Sequence, residues 1–569
     1  MTITAADIQR TIQTITAPGE FLEIEERMVG GRLHKVYKHA AATVVDMLQN
    51  ARNYGDAEFL VYEGQRITYK QFFERVDPLA AALQKNFGVQ KGDRVAIAMR
   101  NSPDWIVTFT AAILVGAIAV PINSWGKTEE LHFAITQCGA KCVAVDFARY
   151  QLIADRIDEM ALDVLVSEAG TLPSHHRVHR FDDVVARGKN QAYTVDQAAP
   201  EDECLILYTS GSTGFPKGAT HRHIGVCQAV MSMFYVGLLL MRLEGPRQFK
   251  GDATKDTPML SVPLFHATGL LSGFLVPIQA GQKVVVLPKW DSAKALRLVE
   301  SEQVTILSSV PAILKDLLTH PEFDNYDTST LIRVSAGGAA TPAGLPELIQ
   351  QKLGLVSRSA GYGMTETMAV TATMSGAIFD LKPFSCGPLS PIVQVRFVDA
   401  AGNVLPNGEQ GEIQIYGITC TTGYWQKPEA NKEVFTADGW LKSGDIGFID
   451  ADGFLHVTGR IKEVVIRGGE NIYPIEIEQA AYKHSAVKEV VVFGVDDAAM
   501  GEELSMVCYR QEGVDLSEAE LRDYLRERLA GYKVPKYIAF SAEPLPRNAS
   551  EKLHKIRVRE NFIAGLYRG

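Results

Sequence analysis

Short β-rich apolar runs that alternate with helix-like segments constrain this chain more than any other feature. From about Thr68 to Asp146, helical stretches such as YKQFFERVDPLAAALQKNF alternate with RVAIAM, AIAVPI and KCVAVD, bounded by Gly, Asp and Asn. Such alternation predicts strand–helix units in a parallel sheet, because parallel neighbours need a crossover between them. A second series (LILYTS, TPMLSVPL, KVVVLP, VTILSSV and LIRVSAGG) predicts a second lobe of the same kind.

At 569 residues the chain exceeds what one hydrophobic core supports, so two or more domains are expected. After Pro383 the texture changes to alternating runs punctuated by AGN and PNGEQG turns, which predicts a small antiparallel barrel or meander. Beyond about Arg460, EVVVFGVD, LSMVCYR and SEAELRDYLRERLAGYKVP suit a compact α+β module of roughly 100 residues. The expected fold class is therefore α/β: α/β lobes over about 50–380, a β-barrel over about 381–459, and a small α+β C-terminal domain.

The chain is 46% hydrophobic and 22% charged, which excludes disordered and fibrous classes. A net charge of -10 speaks against a broad nucleic-acid-binding surface, although a glycine-rich loop can still hold a phosphate through local N–H groups. Seven scattered cysteines without paired spacing point to a reducing compartment. The polar start MTITAADIQRTIQTIT carries no export pattern, so a cytoplasmic location is expected. Thr110–Ile122 and Val230–Met241, the most apolar stretches, are shorter than the roughly 20 residues of a bilayer span and read as core elements.

The strongest chemical signal is YTSGSTGFPKGA, Tyr208 to Ala219, directly after the apolar run CLILY. Glycines let the backbone wrap an anion, hydroxyls donate to phosphate oxygens, and Lys217 adds a point charge. A plain surface turn would use similar residues, and the P-loop pattern of nucleotide triphosphatases is not matched. A second segment, AGYGMTE from Ala360 to Glu366, offers an aromatic face for a base at Tyr362, a hydroxyl at Thr365 and a carboxylate for a hard cation at Glu366. By itself it also reads as a capped strand–turn corner.

Together these segments and PLFHATG, VSAGGAATP, GYWQKPE, GWLKSGDIG, GRIKEVVIRGGENIYPIEIE and PRNASEKLHK occur in one order along nearly the whole chain. The sequence thereby resembles the adenylate-forming superfamily of acyl-CoA synthetases, carrier-loading adenylation domains and beetle luciferases, and within it the acyl-CoA synthetase branch. The resemblance implies ATP and Mg2+ chemistry on a carboxylic acid, with coenzyme A as the co-substrate. It implies that Thr209, Ser210, Gly211, Ser212, Thr213, Gly214 and Lys217 surround the ATP phosphates, with Thr209 and Glu366 near Mg2+. Gly338, Ala339, Gly361, Tyr362, Gly363, Met364 and Thr365 would complete the nucleotide site. Asp445 would accept hydrogen bonds from the ribose hydroxyls, and Arg460 would add a donor.

Adenylation must bring a carboxylate in line with an α-phosphate while two anions repel, so positioning and charge neutralisation dominate. The resemblance implies that Lys552 bridges the two anions. Glu551 replaces the glycine that usually precedes this lysine, and Lys555 is its nearest competitor. Residues 460–462 would form the joint between a core, 1–459, and a mobile domain, 463–569, pivoting at Lys462 and presenting Gly468 and Gly469 to a thiol channel.

His266 of PLFHATG would act beside the carboxylate or gate an acyl pocket that also involves Phe234, Gly337 and Gly361. Amino-acid-activating relatives carry an aspartate near this motif, whereas His266-Ala267-Thr268 offers no carboxylate, so a neutral tail is expected. A medium or long aliphatic acid is favoured, with cinnamate- or benzoate-type acids kept open. No carrier segment follows the C-terminal module, so CoA is the expected thiol, with a separate carrier protein as the alternative. A homodimer is left open. A nucleotide-binding relative without catalysis is opposed by Lys217, Thr365, Glu366, Asp445, Arg460 and Lys552, all of the required residue types; Glu551 is its one foothold.

Overall fold

A computed structural model describes residues 3–168, 170–209, 216–246, 249, 255–336, 344–354, 359–511, 513–547 and 553–567. Two sheets dominate the N-terminal part. An eight-stranded sheet runs in the order Gly423–Tyr424, Lys217–Arg222, Glu203–Thr209, Ile118–Pro121, Arg94–Ala98, Ala140–Asp146, Asp163–Ser167 and Val178–Arg180. A six-stranded sheet runs in the order Arg333–Ala336, Ile306–Ser309, Pro258–Leu260, Val284–Val286, Glu58–Tyr62 and Gln65–Thr68. Most neighbours in both are parallel.

Alternation along each strand builds the layers. Val95 and Ile97 enter a central core that also takes Phe59 and Leu60 from the other sheet and Phe72, Phe109 and Val230 from helices between the two. Ala96 and Ala98 point the other way, into a cluster with Leu131, Ile135 and Ile153. Val334 and Leu307 do the same in the second sheet, packing on Leu296, Leu314 and Ile349. Both sheets are thus covered on both faces, which explains why their strands read as near-continuous apolar runs.

The two lobes are real, but their membership differs from the sequence expectation. LILYT belongs to the sheet of RVAIA and AIAVP, and the strand Glu58–Tyr62, upstream of the first expected series, belongs to the other sheet. Apolar periodicity identifies strands but carries no term for which strand lies beside which.

The apolar run Val230–Met241 is part of a longer helix, His223–Glu244. Its 22 residues make it long and apolar enough to cross a membrane by length and composition, which corrects the estimate from the run alone. Of its apolar window 67% is buried, and His223, Gln228 and Ser232 place hydrogen-bonding groups among the buried residues. Gln228 exchanges hydrogen bonds with the backbone of Tyr37, which ties the helix to the hairpin Ile24–Val29 and Arg32–Tyr37.

Past Pro383, a five-stranded antiparallel sheet follows in the order Val404–Leu405, Val393–Val398, Gly411–Gly417, Leu441–Ile449 and Leu455–Arg460. One turn later, Val465–Arg467 enters a separate sheet with Glu470–Ile472, Gly501–Arg510, Val487–Asp497 and Tyr537–Ser541. Helices Pro474–Tyr482 and Glu518–Arg526 pack on one face of it and Lys555–Ile563 on the other, giving this module two small cores of its own.

Candidate active site

In open α/β sheets, ligands gather outside the carboxyl ends of parallel strands. Here Glu203–Thr209 and Lys217–Arg222 form an antiparallel pair in which Thr209 lies opposite Lys217. Ser210 to Gly214 lie outside the described residues, as do Gly337, Gly338, Ala339, Glu551 and Lys552. The short turn Thr365–Thr367 packs against both strands of the pair.

Glu366 is held firmly at this place. It is 6% exposed, its Oε1 accepts a 2.7 Å hydrogen bond from the Tyr424 hydroxyl, and its carbonyl accepts from the Thr421 N–H at 2.6 Å. Tyr424 sits in the edge strand paired with Lys217–Arg222, and the Lys217 ammonium lies 5.1 Å from the centre of its ring. A hydroxyl at Thr209, a cation at Lys217 and a fixed carboxylate therefore share one corner. An oxygen-only donor set of carboxylate and hydroxyl is the kind Mg2+ takes together with substrate phosphates, so the residues fit that ion.

A second group lies further along the same segment. The Tyr362 hydroxyl donates to Asp445 Oδ2 at 2.7 Å, and Arg460 Nε lies 2.8 Å from Oδ1. The sheet creates this arrangement, since Asp445 and Arg460 are cross-strand partners. The Ser443 hydroxyl receives the Asp445 N–H and donates to the Ile413 carbonyl, anchoring the turn. Burial, reinforced by the Asp445 charge, holds the Tyr362 hydroxyl well above its ordinary pKa, so it remains a donor. Asp445 is only 3% exposed and presents a carboxylate fixed on both oxygens. Gly363 is required by space: a Cβ there would meet the Ala369 backbone at 2.4 Å. Met364 and Thr367 close the turn beside it.

A cavity of about 580 Å3 opens between helix His223–Glu244, the six-stranded sheet and the hairpin Ser359–Tyr362 with Ala372–Ser375. Phe234, Leu238, Leu260 and Val276 supply apolar wall. Phe234 lines it, whereas His266 and Gly361 lie outside its described wall. His266 precedes the short helix Ala267–Leu270, with its ring 4.4 Å from that of Phe265.

In the C-terminal module, Gly468 and Gly469 form the exposed tip of a tight hairpin, both at positive φ, a geometry glycine adopts without strain. Lys462 is exposed in the turn Ile461–Glu463. Lys555 is half-buried, 2.8 Å from Glu463 and 3.1 Å from Glu478. Burial opposes its charge, but the two carboxylates outweigh burial and hold its pKa above the ordinary lysine value. It is therefore committed to a structural ion pair.

Tyr424 and Ser443 were given no role by sequence reasoning, although both lie within the quoted GYWQKPE and GWLKSGDIG segments. Their identities suggest hydrogen bonding, but only the folded chain shows Tyr424 reaching Glu366 and Ser443 accepting the Asp445 N–H while donating across the sheet to Ile413.

Residues 47–425 match the AMP-binding enzyme family and residues 476–552 its C-terminal domain. The chain is 33% identical over 523 residues to feruloyl-CoA synthase of an Amycolatopsis species, covering 90% of this chain and 98% of that one. It is 32% identical over 529 residues to the 3-[(3aS,4S,7aS)-7a-methyl-1,5-dioxo-octahydro-1H-inden-4-yl]propanoyl:CoA ligase of Rhodococcus jostii (strain RHA1), covering 90% and 96%. The fold resembles o-succinylbenzoate coenzyme A synthetase from Bacillus subtilis in complex with ATP and magnesium ion, with a TM-score of 0.75, 27% identity, and 90% and 99% coverage. The chain belongs to the AMP-binding enzyme family, in the acyl-CoA synthetase branch of the adenylate-forming superfamily, whose members are acid–thiol ligases using ATP, Mg2+ and CoA.

Proposed function

We propose that this enzyme adenylates a medium-sized carboxylic acid with a largely apolar body and then forms its CoA thioester. The observation that carries the choice of acid is the cavity of about 580 Å3, within the range of roughly 300–1,000 Å3 of small-molecule sites, with its wall of Phe234, Leu238, Leu260 and Val276. Such a wall favours an alkyl or ring-bearing tail over an amino acid.

In the first step a carboxylate oxygen attacks the α-phosphorus and pyrophosphate leaves; in the second the CoA sulfur attacks the acyl carbonyl and AMP leaves. Asp445 would accept from the ribose hydroxyls, while Tyr362 and Arg460 keep its oxygens in place. Thr209, Lys217 and the following loop would bind the phosphates. Glu366 and Thr209 would hold Mg2+, which when bound neutralises phosphate charge and eases pyrophosphate departure. Lys552 is the proposed bridge between carboxylate and α-phosphate, and Lys555, engaged by Glu463 and Glu478, is not. The same reading places catalysis in the cytoplasm and leaves dimerisation open.

The test is acid-dependent ATP–pyrophosphate exchange, followed by thioester formation with CoA. Lys552→Ala is expected to lose exchange by about two orders of magnitude or more, an effect on the scale of removing one transition-state donor. Lys555→Ala is expected to keep exchange while becoming less stable, by about 2 kcal/mol, because Glu478 loses a charged partner. Retention of full exchange in the first variant would move the bridge elsewhere. Adenylation with every acid but no thioester with CoA would point to a carrier protein.

A further inference from the structure

The acyl cavity is not apolar throughout. Its sheet floor is built from two cross-strand rows: Ile306 opposite Arg333, and Ser308 opposite Ser335. The Ser308 and Ser335 hydroxyls lie 2.6 Å apart. The neighbouring hairpin adds Ser359 and Ser375, another cross-strand pair, and Asp256 enters just before the strand Pro258–Leu260.

Strand direction says which end of the cavity these groups occupy. Arg333 opens the strand whose carboxyl end leads to Gly337–Ala339, and Ser359 opens the strand whose other end carries Tyr362. At about 3.3 Å per residue, both lie roughly 10 Å upstream of the nucleotide side. A tail whose carboxylate sits at the strand ends would therefore reach the Ser308 and Ser335 hydroxyls first and Ser359, Arg333 and Asp256 last. Arg333 and Asp256 are each engaged within the fold, yet a guanidinium has five N–H donors and a carboxylate several acceptor positions, so one partner does not exhaust either.

We infer that this floor selects acids whose far end carries a neutral oxygen function, a ketone or hydroxyl, over acids with a plain hydrocarbon tail. A hydrocarbon end seated there would strip water from hydroxyl and charged groups and return no hydrogen bond, a mismatch against which polar sites discriminate strongly. One cation and one anion on the same wall, Arg333 level with Pro258 and Asp256 two residues upstream, favour a neutral oxygen over a second carboxylate. Arg333 and Ser359, at the far level, are then specificity-determining residues of the acyl site. The inference rests on the proposed acyl-CoA ligase reading and narrows its substrate class.

The experiment compares kcat/KM in pyrophosphate exchange for decanoate, ω-hydroxydecanoate, a keto acid of the same chain length and sebacate, and for cinnamate against its para-hydroxy derivative. The wild-type enzyme is expected to favour the hydroxy or keto acid over its unsubstituted partner by roughly tenfold or more, the scale of one net hydrogen bond. That ratio should fall severalfold in Ser359→Ala, with the change in KM rather than kcat, and further in Arg333→Met. Should Arg333→Met fail to fold, the wild-type ratio and Ser359→Ala still decide. Equal or better use of decanoate and cinnamate would overturn the inference while leaving the ligase reading intact, as would a preference for sebacate. Absence of exchange with every acid would overturn the ligase reading itself, and the inference with it.

Discussion

The large domain and the C-terminal module hold their candidate functional groups in opposite ways. Glu366 and Asp445 are almost fully buried, and each is held by hydrogen bonds from side chains on neighbouring strands or turns. Gly468, Gly469 and Lys462 lie on exposed turns. Yet the module is not loose inside: it has its own cores, and Lys555 fastens the end of the joint at Glu463 to the buried Glu478. On the proposed reading, the buried groups are placed once and the exposed ones travel with the module between two placements.

The sharpest way to break this comparison is at its fixed side. Asp445→Ala removes the acceptor of both Tyr362 and Arg460, and with it the proposed ribose contact. Loss of charge-assisted hydrogen bonds on that scale is expected to lower kcat/KM for ATP by about 10²–10³-fold. Pyrophosphate exchange reads the effect, with thermal unfolding as the check on folding. A fall of less than threefold would mean that the buried carboxylate only organises the sheet.

The second variant addresses the joint. Lys462→Pro fixes φ at an exposed position between two sheets without touching either core. Adenylation is expected to stay within a few-fold of wild type, while single-turnover conversion of preformed acyl-adenylate to thioester falls by about two orders of magnitude. Equal loss in both half-reactions would place the pivot elsewhere.

How much of this was legible in the sequence divides along the same line. Residue type pointed to Glu366 and Lys217, because a carboxylate and a glycine-rich loop with a lysine are chemically suggestive wherever they lie, whereas Asp445 was reached only through the family resemblance of GWLKSGDIG. What holds them was not legible. Tyr424 reaches Glu366 from 58 residues away, and Tyr362 lies 83 residues from Asp445. Such contacts depend on strand order, the same information whose absence put LILYT in the wrong lobe. The polar floor was hidden for a related reason. RVSA and ILSS read as ordinary β-rich runs until their register sets Arg333, Ser335 and Ser308 on one cavity-facing side.

A third test uses pH to weaken the large domain selectively. His221 and His223 are buried, and burial lowers both pKa values to about 4. His223 Nδ1 also accepts the Val44 N–H, which a protonated ring cannot do. The unfolded chain takes up protons near pH 6.5 and the folded chain near pH 4, so acid favours unfolding between those values; above pH 6.5 the effect vanishes. Between pH 7 and pH 5, His223 is expected to cost about 2 kcal/mol of stability. His223→Gln, whose amide oxygen can still accept from Val44, should show a pH slope flatter by that amount in denaturant unfolding. In hydrogen exchange on the full chain at pH 5, helix His223–Glu244 should lose protection before strands Val487–Asp497 and Gly501–Arg510. Simultaneous loss would show that the module's stability depends on the large domain.

The smallest expected effect lies at the seam. Lys483 of the module places its ammonium 5.2 Å from the centre of the Phe384 ring, which is 76% exposed. An exposed cation–π contact contributes about 0.5 kcal/mol, so Phe384→Ala should change either half-reaction by less than about threefold. That near-silence is informative. If the module adopts two placements in each turnover, as proposed, any contact that strongly favours one hinders it, since the rate of leaving falls tenfold for each 1.4 kcal/mol or so of preference. If Phe384→Ala instead accelerates thioester formation several-fold and slows adenylation, this seam holds the module in its adenylating placement, and the opposite pattern assigns it to the other. Either result would make a single exposed aromatic residue part of the balance between the two steps.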